Sequence, residues 1–323
     1  MRRNPLLITA GALVLTVSAV VAVKYVRTYE SPAIAESPPP VVQPSGGAAV
    51  ANGPPDAGAV RAAATPAPAD LVAQQRFRAA GELVKKANGH LAVIVRDRRT
   101  GAEWRAGELD RPAWAASTIK LAMAVNLLER ARNGEIKLDS AARKNIADML
   151  EGSSDAAADV LWDKFGNEAF VPWFQQQYGM AKLEFPAGAV RRWNHLKCAP
   201  DDLLHLIGFV LDRADPTDRD YLMAAMRRAG TSQRWGAWAA GDPNRPGVTN
   251  GWSLETDDQA KHWVTHSVGF AGPGAEYAVV IMFDQPPGAT LDTGVHTVSD
   301  IIATAFGAKT PADVTVPGPA PRR

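Results

Sequence analysis

The sequence predicts an α/β protein of the α+β kind: an antiparallel five-stranded sheet flanked by terminal helices, with an all-helical lobe inserted between strands 2 and 3. Three observations carry this. Two β-rich stretches, HLAVIVRD (90–97) and GAEWRAG (101–107), are separated by a tight turn. From Trp114 to about Arg228 the chain then reads almost entirely as helix. Three further β-rich stretches follow, and one helix closes the pattern.

Taken from the N-terminus, residues 4–23 carry no charge and are bracketed by Arg2, Arg3, Lys24 and Arg27. Twenty helical residues span roughly 30 Å, the thickness of a bilayer's hydrocarbon core. Residues 1–30 therefore read as a membrane anchor or a signal segment. The run is longer than a usual signal core, and the nearest small-residue site, Ala33-Ile34-Ala35, lies well downstream, which favours the anchor. The expected location is the cell membrane, single-pass with an extracytoplasmic domain, or secreted if the segment is cleaved. Residues 31–70 hold nine prolines and twelve alanines with no Leu, Phe, Trp, Tyr, Lys or His. Such a segment cannot bury enough apolar area to offset its ordering entropy, and reads as a disordered Pro/Ala-rich linker. Residues 309–323 are a similar disordered tail.

Between them, residues 71–308 form the head. Ala73, Phe77, Ala80 and Val84 space a helix over 71–87. The insertion predicts helices at 116–132, 140–151, 155–165, 167–178, 200–213 and 217–228, with Asp201-Asp202 capping the fifth. VTNGWS (248–253), HWVTHSVGF (262–270) and EYAVVIMF (276–283) are strands, and 293–307 is the last helix.

A net charge of +1 supplies no basic field, so nucleic acid is not an expected partner. The single cysteine, Cys198, excludes a disulfide framework and a multi-thiolate zinc site, and reads as a small packing residue. His262 and His266 are four apart, but on a strand that spacing separates them by roughly 13 Å, so no metal is expected there. No cofactor is expected, and the head reads as a monomer.

Chemistry is expected where the chain crosses between lobes. Ser117-Thr118-Ile119-Lys120 opens a helix that is apolar for two turns. The spacing puts Ser117 and Lys120 on one face, beside the free N–H groups of a helix N-terminus. A bland alternative is an N-cap serine with a surface lysine. Ser153-Ser154-Asp155 opens another helix, which again suits a plain cap. Thr249-Asn250-Gly251-Trp252 lies on the first strand after the helices, where glycine permits close backbone approach. Trp252 is a candidate for the cleft wall.

Together these motifs resemble the S-x-x-K, S-D-N and K-T-G set of the serine β-lactamase and penicillin-binding D,D-peptidase superfamily, in its class A β-lactamase-related branch. The resemblance covers about 71–307, with Gln233-Arg234-Trp235-Gly236 and Trp263–Gly269 as supporting pieces. It implies that Ser117 is the acylated nucleophile and Lys120 its base or proton relay. It also implies that the backbone N–H groups of Ser117 and Trp252 form the oxyanion hole. Taking Ser153 as the second-motif serine keeps the following helix in phase, and makes Asp155 the replacement for the motif asparagine. Ser153 would pass the proton to the leaving amine.

Three departures follow. Thr249 stands where the family has a lysine that helps bind the substrate carboxylate, with Arg234 as a candidate replacement charge. Asp155 brings a carboxylate that cannot donate, and that can hold Lys120 as an ammonium. Residues 185–200 carry Trp193-Asn194-His195 in place of the glutamate loop by which the family's β-lactamases activate the deacylating water. The expected function is a membrane-tethered extracytoplasmic serine hydrolase acting through an acyl-enzyme on peptidoglycan peptides or related amides. The alternatives are a non-catalytic relative that binds cell-wall peptides or a protein partner, and a β-lactamase.

Overall fold

The computed structural model describes residues 68–257 and 260–318. The expectations for residues 1–30, and for the linker as far as residue 67, lie outside the described residues. Among the described residues no helix is long and apolar enough to cross a membrane.

Helix α1 (Pro68–Lys86) starts on a proline, whose missing N–H costs nothing in a first turn. The hairpin β1 (His90–Asp97) and β2 (Glu103–Gly107) follows. A two-residue strand β3 (Ala113–Trp114) leads into a tight helical turn at Ala116–Thr118 and then α2 (Ile119–Arg132). The lobe continues through α3 (Ser140–Glu151), α4 (Asp155–Phe165), α5 (Phe170–Tyr178), β4 (Lys197–Cys198), α6 (Pro200–Asp212) and α7 (Pro216–Arg227). The sheet resumes as β5 (Gly247–Asp257), β6 (Ala260–Ala271) and β7 (Tyr277–Asp284), and α8 (Leu291–Phe306) closes the fold. The five long strands form the antiparallel sheet that the sequence predicts, and their order across it is β2-β1-β7-β6-β5.

Alternation along the strands divides the apolar residues into two cores. Ile94, Val268, Phe270, Val280 and Met282 pack against the helical lobe, whose centre is α2 and α6. Leu91, Val93, Val248, Val279, Ile281 and Phe283 pack on the other face against α1 and α8. Helix α2 is buried for ten consecutive residues, Ile119–Leu128, because the lobe surrounds it. A buried helix carrying a lysine near its start requires a local partner for that charge.

Two features were not anticipated. Strands β3 and β4 pair antiparallel, Ala113 with Cys198 and Trp114 with Lys197. Ala115 N extends the pairing by donating to Leu196 O at 2.8 Å. The start of α2 is thereby fastened to the loop that ends the 185–200 segment. The second concerns the tail. Residues 309–318 have no regular secondary structure, yet Ala312 is buried and its N–H donates to Asp300 Oδ1 at 2.7 Å. Val314 and Val316 pack against the α1/α8 core. The expectation of a disordered tail is corrected over these residues, because each valine side chain finds apolar surface to cover.

Candidate active site

Ser117 sits in the turn that leads into α2, 8 % exposed. Its neighbour Ala116 has φ 47°, in the left-handed region that a residue with a Cβ rarely occupies. Neither this turn nor the start of α2 has a side-chain cap, so Ser117 is not spent on capping. Thr118 Oγ1 instead donates back to Ala115 O at 2.6 Å, which fixes the turn.

Lys120, one turn on, is completely buried. Its Nζ donates to Ser153 O at 2.6 Å, to Asp155 Oδ1 at 2.7 Å and to Ser153 Oγ at 3.2 Å. The Trp193 ring lies over the same ammonium, 4.7 Å from Nζ to the centroid. The surface-lysine alternative is thereby removed.

The two serines of the second motif divide their work. Ser154 caps α4, its Oγ accepting from Ala157 N at 3.2 Å. Ser153, at φ 54°, is bent out of the helical path so that its carbonyl and hydroxyl both reach Lys120. Left-handed backbone at Ala116 and at Ser153 therefore flanks the same lysine, a placement typical of functional sites.

Strand β5 forms the opposite wall. A Cβ at Gly251 would lie 2.9 Å from both Ser117 N and Thr118 N and 3.0 Å from Ala115 O. Only glycine lets the strand come this close to the serine turn. Thr249 shares the face of Gly251 by the two-residue repeat of a strand. It is 5 % exposed, and its Oγ1 is buried with no hydrogen-bond partner among the described residues. Glu255 lies further along the same face, its carboxyl pushed up by burial and by the nearby Asp257. This wall therefore carries carboxylates and a neutral threonine where the resemblance implies a cation.

Asn250 and Trp252 point the other way. Asn250 Nδ2 donates to Gln233 O at 2.7 Å, and Trp252 packs edge-on to Trp235 at 6.2 Å, on the α1/α8 side. The expectation that Trp252 lines the cleft is corrected for its side chain, because strand alternation turns it, like Asn250, away from the face of Gly251. The Trp252 backbone remains on the strand that abuts Ser117. Arg234 is exposed, donates to Ala229 O at 3.1 Å and stacks on Trp238 at 5.1 Å. Both partners belong to its own loop, which does not support the suggestion that it replaces the lysine missing at Thr249.

Sequence reasoning noted Trp193 but not its position. It is 2 % exposed, and its Nε1 donates to Asp159 Oδ1 at 2.8 Å. The short helical turn Trp193–His195 packs against the Ser117 turn, α2 and α4. A lone indole in a loop gives no sequence signal for such a place. Among the described residues no group of three or more His, Cys, Asp or Glu is arranged to hold a metal. His262 instead pairs with Asp284, and buried His266 accepts from Phe283 N at 3.0 Å.

The model of the "Beta-lactamase enzyme family" matches residues 75–154, a span that holds Ser117, Lys120 and Ser153. Proteins described as "Putative lipoprotein LppW", from Mycobacterium tuberculosis H37Rv and Mycobacterium bovis, are 30% identical over 241 residues, covering 72% of this chain and 74% of theirs. Among solved structures, a β-lactamase from Chitinophaga pinensis superposes with a TM-score of 0.61 at 15% identity, over 72% of this chain and 98% of that one. An ancestral class A β-lactamase does so with a TM-score of 0.59 at 17% identity, over 72% and 99%. The chain therefore belongs to the family of these LppW proteins, has the fold of the class A β-lactamases, and in its serine-bearing segment resembles the β-lactamase enzyme family.

Proposed function

We propose that the protein is a membrane-tethered, extracytoplasmic serine hydrolase of slow turnover, acting through an acyl-enzyme on peptidoglycan peptides or related amides. The observation that carries this reading is the fully buried Lys120, one turn from Ser117, with its ammonium 3.2 Å from Ser153 Oγ. In this reading Ser117 Oγ bonds to the amide carbon, the carbon–nitrogen bond breaks, and the serine proton travels through Lys120 and Ser153 to the leaving amine. The N–H groups of Ser117 and Trp252 stabilise the developing oxyanion. Turnover is slow because Asp155, 2.7 Å from Nζ, favours the charged lysine that cannot accept the proton.

Export and tethering rest on the uncharged run at 4–23. The mycobacterial relatives are described as lipoproteins, which agrees with a place outside the cytoplasm. Here the only cysteine is Cys198 in the head, so the tether is the apolar run rather than a lipidated thiol.

Incubation of the full-length protein with a fluorescent penicillin, followed by peptide mass spectrometry, tests the reading. An adduct on Ser117 that disappears in Ser117→Ala is expected. The Lys120–Asp155 bridge also favours a second reading, in which the head binds wall peptides without turnover. That reading gives fragment binding that survives Ser117→Ala, with no adduct in the wild type. Trp193 at the place of the family's glutamate loop argues against efficient β-lactam hydrolysis, and nitrocefin turnover at the rate of a control β-lactamase would reverse that conclusion.

A further inference from the structure

We infer that Trp193 is a shield that keeps hydrolytic water from the acylated Ser117, so that the protein releases its acyl group only slowly. The inference rests on the reading of Ser117 as an acylated nucleophile, and it adds the fate of the intermediate.

The indole covers Lys120 from the 185–200 loop, and both residues are buried, at 2 % and 0 % exposure. The turn that carries it packs directly on the Ser117 turn, and Ala115 N–H to Leu196 O, 2.8 Å, fastens the two. Its outer side is held as well. Asp159 accepts from Trp193 Nε1 at 2.8 Å and from Arg192 at 3.1 Å, Arg192 also pairs with Asp163, and Arg191 pairs with Glu168. Helix α4 and the turn that follows it thus grip the loop at four points. An aromatic ring held this way presents carbon to the space beside the lysine. A carbon surface neither orients a water nor accepts its proton.

Release of the acyl group needs both. A water oxygen must bond to the acyl carbon while the Ser117 Oγ–carbon bond breaks. One water proton restores the serine hydroxyl, the other is lost to solvent, and the acyl group leaves as a carboxylate. With the indole in place, no ordered water can be held at Lys120 from the side of this loop. Trp193 is therefore a positioning residue that acts by exclusion, and Asp159 is its anchor.

The test is the lifetime of the adduct, followed by intact mass in the full-length protein after excess fluorescent penicillin is removed. Trp193→Ala is expected to shorten the lifetime at least tenfold, with a solvent deuterium isotope effect on release. Trp193→Phe keeps an aromatic ring over Lys120 but loses the bond to Asp159, and is expected to shorten the lifetime much less than Trp193→Ala does. Asp159→Asn weakens the anchor without emptying the core and is expected to shorten the lifetime to a smaller extent, which gives a readout if the alanine variant does not fold. An unchanged lifetime in Asp159→Asn and in a folded Trp193→Ala overturns the shield while leaving the acylated serine intact. Equal shortening by Phe and Ala also overturns it. Absence of any adduct on wild-type Ser117 overturns the shield and the underlying reading together.

Discussion

Lys120 Nζ and Asp155 Oδ1 lie 2.7 Å apart, the lysine side chain wholly buried and the carboxylate 31 % exposed. The pair joins the serine helix to the start of α4, and it places a carboxylate beside the ammonium that also reaches Ser153.

Replacing Asp155 by Asn removes that charge and supplies an amide that can donate. Lys120 then loses its strongest reason to remain an ammonium, and acylation of Ser117 is expected to accelerate roughly tenfold or more, a barrier change of about 1.4 kcal/mol. Stopped-flow labelling with a fluorescent penicillin measures it. A rate equal to wild type would show that the bridge does not limit the chemistry.

Thr249→Lys restores a cation to the wall that faces the serine turn. Binding of carboxylate-bearing penicillins is expected to tighten by about tenfold, and the gain should shrink with added salt. The site is 5 % exposed, so the longer side chain is also expected to lower stability by about 1–3 kcal/mol, read as a drop in melting temperature.

Gly251→Ala places a methyl group 2.9 Å from two backbone nitrogens of the serine turn. Either β5 or the turn must move. A loss of about 1–3 kcal/mol in stability is expected, together with near-complete loss of labelling at Ser117 in the fraction that remains folded. Labelling at the wild-type rate would mean that the approach of β5 is unimportant to the site.

Acid should destabilise the head through His266. Burial lowers its pKa from 6.5 to about 4, only partly opposed by Asp284, and its Nδ1 accepts from Phe283 N, which requires the neutral ring. The unfolded chain therefore takes up this proton first as the pH falls. His266 contributes nothing to pH dependence above about 6.5, and stability is lost between about 6.5 and 4, by about 3 kcal/mol in all. Urea unfolding of wild type and His266→Gln across this range should show a flatter profile in the variant.

The sheet and the helices were legible because both carry strong periodicity. The bounds of β1, α3 and α4 are those read from the sequence, since turn and capping residues mark them. Spacing and resemblance singled out Ser117, Lys120 and Ser153, and the fold does bring Lys120 Nζ onto Ser153 one turn from Ser117. The β3–β4 pair was not, because two-residue strands have no period. The faces of Asn250 and Trp252 could have been read: alternation alone sets them opposite Thr249 and Gly251. Trp193 gave no signal, since its place depends on ion pairs from α4 and on contacts far apart in the chain.

Cys198 has a practical consequence. The sole thiol of the chain lies at 0 % exposure on β4, and burial, with Asp202 nearby, pushes its pKa well up, so it is inert toward alkylating dyes. The native protein is thus already a blank background for thiol labelling. A single cysteine introduced at Val190, 60 % exposed and just ahead of the Trp193 turn, would carry a reporter dye without any compensating replacement.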